Sequence, residues 1–333
     1  MENEIQKIEG VSVAQKKKYR LVTQATFDGL ICAMLLKCLD KIDEIGFVHP
    51  RDIESGRVEI IENDIMAGLP YKERAHLVFD NYPGSLRKGR RKRENRIVDT
   101  NAPSTSRVIY DHYGGKEKFP QISEEMLTEV DRGYKAMYIT DEILYPSGWG
   151  LLNYLIDQRS GLEIFKKFKT PHNQMLINMV DYCMDHTILE ILSLPDVEDR
   201  LQAYFPGVEQ YKAQVLRCAR VYYNLVVIDM RKEKNVYPGN RFVIYAMFPE
   251  CNVSLQLLSD SKNNKTTFVV GKSIIDRSYR LHIGKLMSEY GGGGHAKAGT
   301  FQVDNDKADE VLKEVIKRLK YGLFKNLFLG YFN

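Results

Sequence analysis

The first hundred residues constrain the fold most, because they alternate between two kinds of pattern. Five short apolar runs, at 19–23, 46–48, 58–61, 76–79 and 96–98, are interleaved with helical patterns such as 30–39 and 104–113. Strands alternating with helices predict an α/β fold, a mostly parallel, doubly wound sheet with helices on both faces. In such sheets the chemistry gathers at the carboxyl ends of the strands.

The pattern changes twice further on. From about 122 to 222 the chain reads as nearly continuous helix, punctuated by Pro146, Pro171, Pro195 and Pro206. Strand-like runs then return at 225–228, 241–245, 253–257 and 266–270. A helix is expected over 278–290, a glycine-rich turn, a strand over 300–303 and a helix over 307–319. The division predicted is a sheet domain over 1–200, a linker helix over 201–222, and a smaller α+β domain over 223–333.

With 333 residues, 44% of them hydrophobic, the chain can build a core in each of two domains. The net charge is +4, but the run at 87–93 holds six basic residues, and without them the balance turns to −2. Overall basicity therefore carries no argument for nucleic-acid binding. The run itself reads as a solvated loop or as a polyanion contact. Five scattered cysteines without a C-x-x-C pair, a polar start and no long apolar run point to a reduced, cytoplasmic protein with no membrane span.

Two groups of residues bear on function. Asp28, Asp64, Asp80 and Asp99 each follow an expected strand, so they could converge on one edge of the sheet and hold a hard divalent cation. Taken singly, each could simply cap the following helix. The second group is the segment Gly291-Gly292-Gly293-Gly294-His295-Ala296-Lys297-Ala298-Gly299. Successive glycines permit left-handed backbone and close approach, and their amides can form an anion nest beside His295. A helix end and a tight turn would need only one glycine. Arg277, Arg280, His282 and Lys285 lie on or near the helix that leads into this loop; the spacing of Arg277, Arg280 and Gly284 could face a ligand, with Arg277 the contact expected, or the group could be an exposed helix face.

The segment GGGGHAKAG resembles the signature of the DHHA1 domain, and the N-terminal half resembles the DHH phosphoesterase domain that accompanies it. Thr23 to Leu30 is similar to the first motif, Asp64 to the second, Asp80-Asn81-Tyr82-Pro83 to the Asp-His-His motif, and Asp131 to the fourth. Ala102 to Ser106 resembles the helix start that follows the third motif. The likeness extends through Pro146-Ser147-Gly148-Trp149 and is nearest to the exopolyphosphatase-related branch. It implies two Mn²⁺ or Mg²⁺ ions that clamp a phosphate and activate a bridging water. It also implies phosphate contacts from the glycine loop.

The departures matter as much. The first-motif His is replaced by Val22, Thr23 or Gln24, its first Asp by Thr26, and the two histidines by Asn81 and Tyr82. What survives implies one ion at most, on Asp28, Asp64 and Asp131, with Asp80 nearby and Asn81 as a weak ligand. Gly291, Gly292, Gly293, Gly294, His295 and Arg277 would hold the substrate. Two functions are then open. The first is metal-dependent hydrolysis of a phosphoester or phosphoanhydride in a small phosphorylated ligand: a short single-stranded oligonucleotide, a nucleotide phosphate or polyphosphate, bound in an interdomain cleft. The second is binding of such a ligand without hydrolysis. The sequence does not bear on the oligomeric state.

Overall fold

Strand β1 (Tyr19–Gln24) lies between β2 (Ile42–Val48) and β3 (Asp64–Ala67), and β4 (Leu77–Asp80) and β5 (Arg96–Val98) extend the sheet in the order β2-β1-β3-β4-β5, every pair parallel. This is a computed structural model, and it describes residues 17–82, 93–260 and 262–321. The basic run at 87–93 therefore lies outside the described residues except for Arg93, whose guanidinium rests 4.1 Å from the Tyr71 ring centroid.

The sheet is parallel because its central strands are apolar on both faces. Every residue of β3 is buried, as are Leu21, Val22, Val78 and Phe79, so both faces need covering. Helix α1 (Phe27–Cys38) is apolar all round and buried from Leu30 to Leu36. Short helices follow at α2 (Pro50–Glu54), α3 (Thr105–His112) and α4 (Gly115–Lys118). The third strand differs from expectation. Residues 58–61 form no strand, and the ladder begins at Asp64.

By internal contact the described residues part into two compact units, those up to 24 with those within 32–120, and 25–31 with those from 121 onward. The second contains helices α5 (Glu124–Lys135), α6 (Thr140–Leu144), α7 (Gly148–Ile156), α8 (Leu162–Phe165), α9 (His172–Asp185), α10 (Ile188–Leu192) and α11 (Pro195–Cys218). The expected linker helix over 201–222 is the later part of α11, which runs through Pro206 and ends at Cys218.

A six-stranded mixed sheet then begins: β6 (Ala219–Tyr222), β7 (Leu225–Asp229), β8 (Val253–Asp260), β9 (Lys265–Lys272), β10 (Gly293–Gly294) and β11 (Ala298–Asp304), in the order β10-β11-β9-β8-β7-β6. Only β7 and β8 pair in parallel. The run at 241–245 is not a strand. It leads into the short helix α12 (Val243–Met247). The helix expected over 278–290 shrinks to α13 (Ile283–Ser288), and α14 (Ala308–Tyr321) closes the unit. Leu255, Phe268, Val270, Ile283, Met287, Phe301, Val315 and Leu319 form its core. The five cysteines are free, and no described helix is long and apolar enough to cross a membrane.

Candidate functional site

At the carboxyl edge of the parallel sheet, β1 ends on Gln24, β3 leads into Gly68 and β4 ends on Asp80. Gly68 has φ +65°, and a Cβ there would stand 3.0 Å from the Thr105 hydroxyl, so a side chain at this strand end would be strained. Its carbonyl accepts the Gln24 side-chain amide, and its N–H donates to Phe79 O at 3.1 Å. Beside it the Thr23 hydroxyl donates to Ala67 O at 3.1 Å.

Asp80 is 6% exposed, and both of its oxygens are engaged. One accepts the Tyr82 N–H at 2.8 Å, and the other pairs with the Arg96 guanidinium at 2.5 Å. Asn81 accepts the Thr105 hydroxyl at 3.1 Å and donates to Ala102 O at 3.4 Å. Thr105 sits in the first turn of α3, where Ser104 is the N-cap and accepts the Arg107 N–H. This edge is thus a buried network of amides and hydroxyls with one neutralised carboxylate. Asp99, exposed, accepts the Asn101 N–H at 2.9 Å and shapes a turn.

Asp64 is not at this edge, which corrects the expectation that it follows a strand. It opens β3 and is fully buried at the amino edge. There it accepts two hydrogen bonds from the Arg20 guanidinium, each 2.7 Å, and the Ile61 N–H at 2.8 Å. The side chain anchors the start of a strand. Asp28 lies in the first turn of α1, where the Thr26 hydroxyl accepts the Gly29 N–H at 3.2 Å. A carboxylate there suits the positive end of the helix. Asp131 is half-buried on α5. Among the described residues, no group of three or more His, Cys, Asp or Glu side chains is placed to hold a metal ion. With Asp64 and Asp80 bound to arginines, the residues present do not fit the expected cradle for Mn²⁺ or Mg²⁺.

The glycine loop lies in the other unit. Gly291 has φ +77°. A Cβ on Gly292 would meet Thr300 O at 2.1 Å, and one on Gly294 would meet Ala298 O at 2.3 Å, whereas Gly293 faces open space. The N–H groups of Gly291, Gly292 and His295 donate to Ser288 O, Met287 O and Ala298 O. The amides of Gly291, Gly292 and His295 are therefore used within the fold rather than left free in a row. Arg277 is occupied too, donating to Ile274 O at 3.0 Å and to Ala136 O at 2.7 Å.

Side chains around His295 form a basic group that no single motif announces. Desolvation, reinforced by the fields of Lys297, Arg241, Arg159 and His282, pushes the His295 imidazole below its ordinary range. Burial with Arg280 and Lys297 does the same to the Lys272 ammonium. Arg241 is lowered to about 10 by burial and by Arg159. Burial works to raise Asp157, but Arg159 and Arg241 hold it below the usual carboxylate range. Groups that repel one another this way gain from an anion that joins them. The Nδ1 atoms of His295 and His282 accept the N–H groups of Lys297 and Lys285, each at 3.2 Å. Both Nε2 atoms are then N–H donors even in the neutral rings. Lys297 and Arg280 can be read from the loop and its flank. Arg159 and Arg241, distant in sequence, cannot.

A cavity of 360 Å³ in the same unit, lined by residues including Glu129, Arg132, Tyr138, Glu142, Trp149 and Tyr154, also has no signal in the sequence. Burial raises the Glu129 carboxyl, which accepts the Tyr138 hydroxyl at 2.7 Å and Arg132 at 3.2 Å.

The chain is 45% identical to the pGpG-specific phosphodiesterase PggH of Vibrio cholerae, over 92% of this chain and 100% of that one, with a TM-score of 0.82. RecJ of Thermus thermophilus, solved in complex with Mn²⁺, matches 92% of this chain and 52% of its own at 11% identity and a TM-score of 0.53, a likeness of fold alone. The A-adding tRNA nucleotidyltransferase of Aquifex aeolicus (strain VF5) is 33% identical over 76 residues, which are 21% of this chain and 9% of that protein. No family model matches the sequence.

Proposed function

The chain belongs to the DHH/DHHA1 phosphoesterase family, and from that premise we propose that it is a phosphodiesterase that binds a short 5′-phosphorylated oligonucleotide, a dinucleotide such as pGpG, through the basic group around His295. The observation that carries this reading is the clustering of Arg159, Arg241, Lys272, Arg280, His282, His295 and Lys297, with the Nδ1 atoms of His295 and His282 both turned to backbone N–H groups; desolvation first, and the neighbouring cations second, lower His295 and Lys272. A dinucleotide with a terminal phosphate brings at least two anionic groups, which relieve the repulsion between those cations. The 45% identity to a protein that acts on pGpG supports the same ligand class.

In this reading Lys297, Arg280 and Lys272 neutralise phosphate oxygens, and the Nε2–H groups of His295 and His282 orient them. Gly293 leaves room for the ligand to lie against the loop. Asp64 and Asp80 are engaged by Arg20 and Arg96 and so are poor ligands for Mn²⁺ or Mg²⁺. Those two ion pairs also favour a second reading, in which the chain binds the dinucleotide and releases it intact.

Incubating the purified chain with pGpG and separating the products by chromatography tests both readings. Release of GMP supports the first. Retention of intact pGpG with measurable binding supports the second. Absence of both binding and turnover for pGpG and other 5′-phosphorylated dinucleotides contradicts both.

A further inference from the structure

The relation between Arg96 and Asp80 extends beyond the ligand. Arg96 opens β5 and Asp80 closes β4, with Val78 paired to Arg96 and Asp80 paired to Val98. The two residues are diagonal neighbours on one face of the sheet, a spacing that a long side chain bridges. Both side chains are 9% exposed, and the guanidinium meets the carboxylate at 2.5 Å. Beside Asp80, Asp99 donates its backbone N–H to the Asp80 carbonyl at 3.2 Å and turns its exposed carboxylate to the Asn101 N–H at 2.9 Å. Gly68 carries no side chain and sits at φ +65°, Gln24 directs its amide to the Gly68 carbonyl, and Asn81 is committed to Thr105 and Ala102.

We propose that Arg96 is the built-in counter-ion of Asp80, so that the carboxyl edge of the parallel sheet is held by a guanidinium and an amide–hydroxyl network in place of a divalent cation. A buried carboxylate needs a positive partner, supplied either by a bound ion or by the chain. Here the chain supplies it. A dication brought to Asp80 must first displace the guanidinium and would then face it as a like charge with one carboxylate to share. Mn²⁺ binds well only where several oxygen ligands converge. The edge is therefore assembled on folding whether or not metal is available. This inference is independent of which ligand occupies the basic group.

Thermal unfolding of the full chain with Mn²⁺ alone, with EDTA, and with neither tests it, together with elemental analysis after dialysis against Mn²⁺. The expected result is one midpoint under all three conditions and metal well below one equivalent. Arg96→Met should lower the midpoint by several degrees, and adding Asp80→Asn should restore most of that loss, because the orphaned charge is then gone. If Arg96→Met does not fold, Arg96→Lys, which keeps the charge and loses the fork, should lie between it and the wild type. A midpoint raised by Mn²⁺ in the wild type, with the rise abolished by Asp80→Asn, overturns the proposal. So does an Arg96→Met chain as stable as the wild type.

Discussion

Asp64 and Asp80 stand at opposite edges of one sheet. Asp64 opens β3 opposite His76, whose N–H bonds its carbonyl at 2.9 Å, and Asp80 lies four residues further along β4. At strand rise that is about 13 Å. Each carboxylate has its own arginine, Arg20 and Arg96. Arg20→Met would leave a fully buried charge uncompensated, and since the Arg20 side chain is itself partly exposed, a loss of about 3 kcal/mol is expected. Urea unfolding measures it. Adding Asp64→Asn should recover much of the loss, and a single mutant as stable as the wild type would remove Asp64 from its anchoring role.

The glycines of the loop have separable duties. Gly292→Ala places a methyl against Thr300 O and Phe301 and should cost about 3 kcal/mol or more. Gly293→Ala should leave the unfolding midpoint unchanged. Gly293→Val should fold, yet weaken pGpG binding by about tenfold or more, since its branches project into the space beside the loop. Equal stability losses at 292 and 293 would contradict this division.

His295 carries a pH dependence of defined sign. Its pKa in the free chain is lowered by desolvation and by neighbouring cations. A bound phosphate raises that pKa, and binding then takes up protons. Affinity should climb as pH falls through the bound-state pKa and level off below the free-state one, which lies under 6.5. The Nε2–H donates in either form, so the span should be modest, about tenfold. Comparison with His295→Gln cancels the ligand's own titration. Identical pH profiles for the two chains would remove His295 from the site.

Glu129 predicts a stability slope of its own. Its folded-state pKa is raised, chiefly by burial, so its contribution is fully present below the unfolded value of about 4.3 and is lost as pH rises through the folded value. Glu129→Gln should remove this slope, and its stability relative to the wild type should improve as pH rises through that window. Denaturant unfolding across the range measures it, and parallel curves would contradict the assignment.

Much of the fold is legible in the sequence because local pattern and final packing agree there. β1, β4, β5 and α3 lie close to where their periodicity places them, and Ser104 caps α3 as its residue type suggests. β3 is hidden. Val58 to Ile61 has the stronger strand composition, but the buried Asp64–Arg20 pair fixes the ladder a few residues later. That shift puts Asp64 at the amino edge and Gly68 at the carboxyl edge of β3, a change of register that no propensity supplies. Residues 241–245 carry strand-forming types, yet the chain there enters α12, whose Tyr245 hydroxyl meets Ser254 at 2.8 Å. Tertiary contact overrides propensity in that segment. The basic group is half visible, because Arg159 and Arg241 come into the surroundings of His295 only in the folded chain.

Calorimetric titration of pGpG into the full chain and into Lys297→Glu tests most directly whether the basic group holds the phosphate. Charge reversal should weaken binding by about tenfold or more, the wild-type affinity should fall steeply with added salt, and the unfolding midpoint of the variant should be unchanged. Wild-type affinity in a stably folded Lys297→Glu chain would contradict the claim that the phosphate is held there.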